Sequence, residues 1–414
     1  MSQDRRLTIG LVGAGMFGGD VHLRTFADLQ RSGIAPFLGR IGMDEFARPL
    51  ADIEIELTAI GARTEASANR ACDAFLSYTG HRPAPCYGET PWRDMFGDPS
   101  AIDVLAVATP DHLHAIPTLE ALAQGCHVIV EKPLCLDYGE AQEIVESAQR
   151  AGRIVAVDMH KRYDPDHMRI RNDLLQRIGE PLYGTAYLEE PLEVSTTTFK
   201  WASQSDPFTY VGPHWVDLFY HYFGVEPIGL TAVGQKRRLV DQGIDTFDAV
   251  QVRVDWANGM SVTFQNNWIT PADFEGPVNQ GHEIVGTRGK IECDQQYRGL
   301  RFWCEGQGSR TANNHFTRDV RRPDGPPVYV GYGADSIIAG VLAICRSKFL
   351  NSNLDDLEDH YPSALQSAVT VKVIHAARLV RDLNWSHVSA GRAPAASASF
   401  DAIGFEILDP YNTL

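Results

Sequence analysis

The sequence predicts two domains: an N-terminal α/β domain built on a doubly wound parallel sheet, then an α+β domain with an open, mostly antiparallel sheet. Three observations carry this. Apolar strand-like runs alternate with helical stretches across residues 7–157, as in a parallel sheet with crossover helices. A glycine-rich hexapeptide, Gly13-Ala14-Gly15-Met16-Phe17-Gly18, stands between the first strand and the first helix. From about residue 160 the pattern becomes consecutive period-two runs with a strong hairpin signal.

The 414 residues exceed what one ordinary core organises, so domains are expected at 1–158 and 159–414. Hydrophobic content of 44% and charged content of 22% describe an ordinary globular chain. A formal net charge of −16 argues against a nucleic-acid partner, which needs clustered Lys and Arg. No run of about 18 apolar residues predicts a membrane span, and no secretory signal is read. The seven cysteines include no CxxC pair, so a reducing cytoplasmic setting is expected, with neither a disulfide framework nor a metal site.

Residues 8–12 read as a short buried strand. In the loop that follows, Gly13 permits a tight turn, Gly15 lets backbone approach a pyrophosphate, and Gly18 lets helix pack on strand. Met16 and Phe17 belong to the same loop, and the next helix offers free N–H groups and a positive dipole end to phosphates. This is a dinucleotide-binding Rossmann pattern. Residues 33–55 read as an insertion, so the second strand is placed at 57–60. It ends in Gly61-Ala62-Arg63-Thr64, without the carboxylate that would grip a ribose diol. Arg63 and Thr64 suit a 2′-phosphate, which favours NADP(H) over NAD(H).

A helix is predicted over 65–77 with Thr64 as N-cap, and Thr90-Pro91 opens another. The fourth strand, 104–107, leads into Thr109-Pro110-Asp111-His112-Leu113-His114. There Thr109, Pro110 and His112 reach a cofactor, with helix N-terminal decoration as the alternative for the histidines. The fifth strand, 127–130, ends in Glu131-Lys132-Pro133, at the edge where such sheets keep their ligand crevice. Asp137 caps a helix over 138–150, and the sixth strand is 154–157. Arg162 and Tyr163 follow it on the crevice side as candidate substrate contacts, with a plain surface loop as the equal alternative.

In the second domain a polar helix is expected over 165–178. Strands are expected at 182–189, 228–236, 247–255, 259–267 and 281–292, with Asn258-Gly259 as a hairpin turn and helices near 335–350 and 363–384. Gly212-Pro213 is read as the start of a helix. That reading puts His214 in the first turn, where the dipole keeps the imidazole neutral and proton-accepting. Trp201, Trp268, Asn266, Asn267, Glu189, Glu190 and Glu193 are of types that bind sugars, or else belong to core, sheet face or solvent.

The glycine loop, residues 107–114 (Val-Ala-Thr-Pro-Asp-His-Leu-His) and residues 125–133 (Gly-Cys-His-Val-Ile-Val-Glu-Lys-Pro) together resemble the glucose-fructose oxidoreductase/inositol dehydrogenase (Gfo/Idh/MocA) family. The resemblance implies an NAD- or NADP-dependent oxidoreductase acting on a sugar, sugar derivative or cyclitol. Lys132 would hydrogen-bond the reacting oxygen, Glu131 would fix Lys132 and the cofactor, and His214 would be the general acid/base. Many members have an aspartate four residues before that histidine. Here Tyr210 takes its place, as a hydrogen-bond donor to substrate or an aid to proton transfer. Two alternatives stand: a glycoside-cleaving enzyme that uses a tightly bound NAD transiently, and a non-enzymatic nucleotide sensor. The open sheet face implies a homodimer or homotetramer.

Overall fold

The computed structural model describes residues 5–15, 17–97, 102–306, 308–323 and 325–411. The chain divides into two compact units. The first contains Met1–Cys135, Gly139–Asp164 and His315–Ala368, and the second Leu136–Tyr138, Pro165–Asn314 and Val369–Leu414.

The first unit holds a six-stranded, wholly parallel sheet of order β3-β2-β1-β4-β5-β6. The strands are β1 Arg6–Val12, β2 Glu54–Ala62, β3 Ala84–Tyr87, β4 Val104–Val107, β5 His127–Val130 and β6 Val155–Val157. Every residue of β4, β5 and β6 is buried, as continuous apolar runs demand when both faces of a sheet are covered. The helices Leu23–Ser32, Glu65–Thr79 and Ala115–Ala123 supply crossovers. Thr64 caps the second of these, accepting from Ser67 N at 3.3 Å. The expected insertion forms two 3₁₀ turns, Ala35–Ile41 and Asp44–Phe46, whose Phe37, Leu38 and Ile41 join the core.

The boundary read at 158/159 differs from this division, because His315–Ala368 packs with the first unit. The reason lies in the helix Tyr332–Leu350, which buries Ile337, Val341, Ile344 and Cys345. A Cβ at Gly340 would stand 3.0 Å from that of Ala156, so the helix rests closely on β6. Periodicity announces such a helix without saying which sheet it covers.

The second unit holds an eight-stranded sheet. Its order is β12-β11-β7-β10-β9-β8, continued by Ser397–Phe400 and Phe405–Leu408. Here β7 is Pro181–Pro191, β8 Pro227–Gln235, β9 Ala249–Trp256, β10 Ser261–Thr270, β11 Asn279–Gly286 and β12 Gly289–Asp294. All pairings are antiparallel except β7 with β10. Strict alternation in β10 sends Val262, Phe264, Asn266 and Trp268 inward; Val262 and Phe264 share a core with Trp215 and Phe219 of the helix Pro207–Phe223, and Trp268 packs with Phe199, Ala202 and Leu239. Gly259, at φ +85°, turns β9 into β10, and Asn258 Oδ1 accepts from Met260 N at 3.1 Å.

Several expectations are corrected. The run 281–292 is two strands, since Thr287 and Arg288 turn back through N–H bonds to Glu180 O and Ile178 O. The polar helix over 165–178 is broken by a π turn, Ile170–Leu174. Strand β3, the hairpins Arg301–Thr311 and Arg318–Val330, and the C-terminal strand pair were not foreseen. Their short, charged or proline-containing segments lack a clean alternation.

Candidate functional site

In the first unit the glycine loop meets the turn after β4. Gly13 has φ +100°, and a Cβ there would lie 2.2 Å from Ala108 O. A Cβ at Gly18 would lie 1.9 Å from Gly13 O, whereas one at Gly15 meets nothing within 4 Å. Two glycines thus close the loop and the middle one faces open space, as a cradle for a pyrophosphate requires. Gly13 N donates to Gly61 O at 2.9 Å, tying the loop to β2. The chain then winds through the π turn Gly18–His22 directly into the helix Leu23–Ser32, with Gly19 N donating to Gly15 O at 2.7 Å and Leu23 N to Gly18 O. This geometry fits a dinucleotide. Met16 lies outside the described residues. Phe17 instead packs inward, its ring stacked on His160 at 6.1 Å.

Arg63 is exposed just beyond β2, and Thr64 beside it is the helix cap already described. Thr109 and Pro110 are partly buried and His112 is exposed in the 3₁₀ turn Asp111–Leu113. His114 is buried and binds two carbonyl oxygens, Thr109 O at 2.8 Å and Pro133 O at 2.6 Å. It therefore staples the turn after β4 to the end of β5, a structural role. Burial lowers its pKa, while the two carbonyls pull it upward. A neutral imidazole donates to only one of them at a time.

Glu131 and Lys132 are both buried at the C-terminal tip of β5, and the Lys132–Pro133 peptide is cis. Glu131 accepts on both oxygens: from His22 Nε2 at 2.8 Å and from Lys132 N at 3.3 Å. Asp158, immediately after β6, is also buried, 3.8 Å from His22 Nε2. One polar atom from each of His22, Glu131 and Asp158 lies within 4.8 Å of the others. Burial raises the pKa of Glu131, opposed by the Lys132 charge. Burial, and then the charge of Glu131, raises that of Asp158 well above the carboxylate range. Burial lowers that of His22, opposed by Asp158. The sequence reading missed His22 and Asp158. The available signals were an acid at a strand tip and a histidine one helical turn beyond Gly18, both amid apolar residues. Arg162 is buried and donates to Gln366 Oε1 at 2.5 Å, and Tyr163 packs on the first core.

In the second unit the helix bearing His214 corrects an expectation. It runs Pro207–Phe223, so His214 is its eighth residue and Pro213 is internal. Asp206 is the N-cap, its Oδ1 accepting from Phe208 N at 3.0 Å and Thr209 N at 3.1 Å. Asp followed by Pro at N1 is the stronger start signal, and it outcompetes Gly212-Pro213. No helix-dipole argument therefore applies to His214, which is buried. Tyr210, one turn earlier, stands among Phe199, Trp201 and Trp268 at ring distances of 4.7, 5.8 and 6.2 Å. Trp268 is fully buried and donates to Glu190 Oε2 at 2.7 Å, and Asn266 donates to Leu188 O at 3.0 Å. Those residues serve the sheet's covered face. A second polar cluster, His167, His282 and Cys293, is buried beneath this helix. There Tyr222 Oη and Gln295 Nε2 occupy both His167 nitrogens, at 2.8 and 2.6 Å.

Comparison with known proteins agrees with this layout. Residues 7–159 match the family model for an oxidoreductase family with an NAD-binding Rossmann fold, and 174–292 match the Gfo/Idh/MocA C-terminal domain. The chain is 25% identical over 204 residues to 1,5-anhydro-D-fructose reductase of Ensifer adhaerens, covering 48% of this chain and 59% of that one. It is 26% identical over 215 residues to scyllo-inositol 2-dehydrogenase (NADP(+)) of Bacillus subtilis, covering 50% and 57%. The matched part thus spans under two thirds of either relative. In fold it is similar to scyllo-inositol dehydrogenase of Lactobacillus casei, solved with NAD(H) and scyllo-inositol. That likeness has a TM-score of 0.67 at 17% identity, covering 91% of this chain and 97% of that one. Both halves matching, the chain belongs to the Gfo/Idh/MocA oxidoreductase family.

Proposed function

We propose that the chain is a nicotinamide-dependent dehydrogenase or reductase of a sugar, sugar derivative or cyclitol. The observation that carries this reading is Lys132, a buried cation at the C-terminal tip of a parallel strand, with its backbone held by Glu131. A buried ammonium there offers hydrogen bonds and positive charge to an oxygen turning into an alkoxide. When bound, the nicotinamide takes or returns the hydride. His214 accepts the hydroxyl proton in oxidation and gives it back in reduction, work of a kind that contributes about 10²–10⁴-fold. Tyr210 donates a hydrogen bond to the substrate. Gly13, Gly15 and Gly18 seat the pyrophosphate, and Arg63 and Thr64 bind a 2′-phosphate, so NADP(H) is preferred. An NADP-linked relative supports that preference. The protein self-associates through the uncovered face of the second sheet.

Titration of purified protein with NADPH and NADH, read by nicotinamide fluorescence, tests the cofactor. Tighter NADPH binding that weakens about tenfold in Arg63→Ala, about 1.4 kcal/mol, supports the phosphate contact. Equal loss of NADH would remove it. A screen of sugars and inositols follows. Lys132→Ala should lower turnover by about 10²–10³-fold while nucleotide binding stays within a few-fold. Unchanged turnover would sink the mechanism. Cofactor that resists removal, with no net cofactor turnover, would point instead to oxidation used transiently in glycoside cleavage.

A further inference from the structure

The buried group around Glu131 leaves a hydrogen-bonding problem. Both Asp158 oxygens are shielded from solvent and receive no N–H donor among the described residues. The groups acting on Asp158 are the Glu131 carboxyl, His22 and the Ser336 hydroxyl, whose Oγ is itself buried without a hydrogen-bond partner among the described residues. Glu131 already accepts on both oxygens, which identifies it as the ionised partner. His22 donates through Nε2, and its buried Nδ1 has no hydrogen-bond partner, so it is the neutral Nε2–H tautomer.

We infer that His22, Glu131 and Asp158 form a proton-sharing cluster, with Asp158 protonated and donating to Glu131, that keeps a single negative charge against Lys132. His22 and Asp158 are thereby positioning residues for Lys132. The inference rests on the catalytic role proposed for Lys132. Two ionised carboxylates buried in contact would repel strongly, whereas two neutral ones would withdraw the cluster's negative charge from beside Lys132. One shared proton avoids both. The charged and titratable groups facing the cluster are Lys132, just after β5, and His160, after β6, on which Lys161 and Asp164 act in turn. His114 also faces Lys132. Ser336, on the helix Tyr332–Leu350, adds a neutral hydroxyl.

The test uses full-length Asp158→Asn, Asp158→Leu and His22→Gln. In Asp158→Asn an amide N–H replaces the carboxyl O–H as donor to Glu131. In His22→Gln an amide replaces the ring N–H. The first readout needs no substrate. At neutral pH the infrared spectrum of wild type should show a protonated-carboxyl C=O stretch that Asp158→Asn removes. Absence of that band in wild type, or its persistence in the variant, overturns the proposal. So does stoichiometric zinc retained by the cluster after gel filtration and lost in Asp158→Asn.

The second readout is the pH profile of turnover, on whichever of myo-inositol, scyllo-inositol or D-glucose is oxidised with NADP⁺. Asp158→Leu should lower kcat by about 100-fold with little change in nucleotide affinity. Asp158→Asn and His22→Gln should recover most of that loss, with the alkaline limb displaced in Asp158→Asn because its donor cannot ionise. Equal losses in Asn and Leu, or profiles superimposable on wild type, count against positioning. Were no tested polyol oxidised while the infrared band behaved as expected, the proposed function would fail and the cluster would stand.

Discussion

Gly15 and Gly18 are identical in composition and opposite in what constrains them. A methyl group at Gly18 collides with backbone at 1.9 Å, and one at Gly15 enters open space. Gly18→Ala should therefore destabilise the fold by about 1–3 kcal/mol, because backbone cannot yield as a flexible side chain does. Gly15→Ala should leave the urea midpoint unchanged yet weaken nucleotide binding about tenfold or more, filling the space a pyrophosphate needs. Paired denaturation and fluorescence titrations separate the two. Equal loss of stability in both variants would contradict the cradle. Of the residues singled out in sequence, the loop glycines lie against the turn after β4 and Lys132 is buried just after β5. Arg162 does not reach out as a surface contact, since it is buried against Gln366. A long cationic side chain carries no sequence signal of which acceptor it will find.

The helix Pro207–Phe223 shows how an element is anchored. Its cap, Asp206, also pairs with Arg381, whose guanidinium lies 4.3 Å from the Phe247 ring centroid. Burial pushes the Asp206 carboxyl up, but Arg381 and the Thr209 hydrogen bonds outweigh it, so its pKa sits below the usual range. A depressed carboxylate stabilises above its unfolded pKa, and that contribution is lost as pH falls through the folded one. Asp206→Ala removes the cap and strands a buried arginine. It should cost about 3–5 kcal/mol by urea unfolding at pH 7, and up to about 1 kcal/mol less relative to wild type at pH 3. A loss under 1 kcal/mol at pH 7 would mean the pair is dispensable. The cap is legible as Asp206-Pro207, which outcompetes Gly212-Pro213 as a helix start. Its arginine partner was not legible, lying 175 residues away in a different helix.

For the whole molecule, the buried His127 is expected to weaken the fold towards acid. His127 on β5 accepts from Ile154 N at 3.0 Å, and burial, aided by Arg153, pushes its pKa down to about 4. As pH falls below about 6.5 the unfolded chain takes up this proton before the folded one does. Unfolding free energy from this residue is therefore full above pH 6.5 and falls by about 2 kcal/mol by pH 5. Urea unfolding at pH 7 and pH 5 should show a shallower decline in His127→Asn, which keeps an acceptor and cannot be protonated. Parallel declines would assign the effect to other groups. Among the described residues no helix is long and apolar enough to cross a membrane. Self-association is checked by light scattering, where a purely monomeric protein would remove the proposed interface.

Local patterns by themselves determined the parallel sheet, the glycine loop, the strand-tip lysine and the antiparallel second half. Period, turn residues and capping signals act over a few positions, so one stretch of chain suffices to read them. Only the tertiary structure decided that His315–Ala368 packs with the first unit. It also decided that His214 sits mid-helix, that His114 is a staple, and that His22, Glu131 and Asp158 converge. These depend on contacts between residues far apart in sequence. Burial then shifts the protonation of His22, His114, Glu131 and Asp158, a property that a residue acquires from its neighbours in space and not from those along the chain.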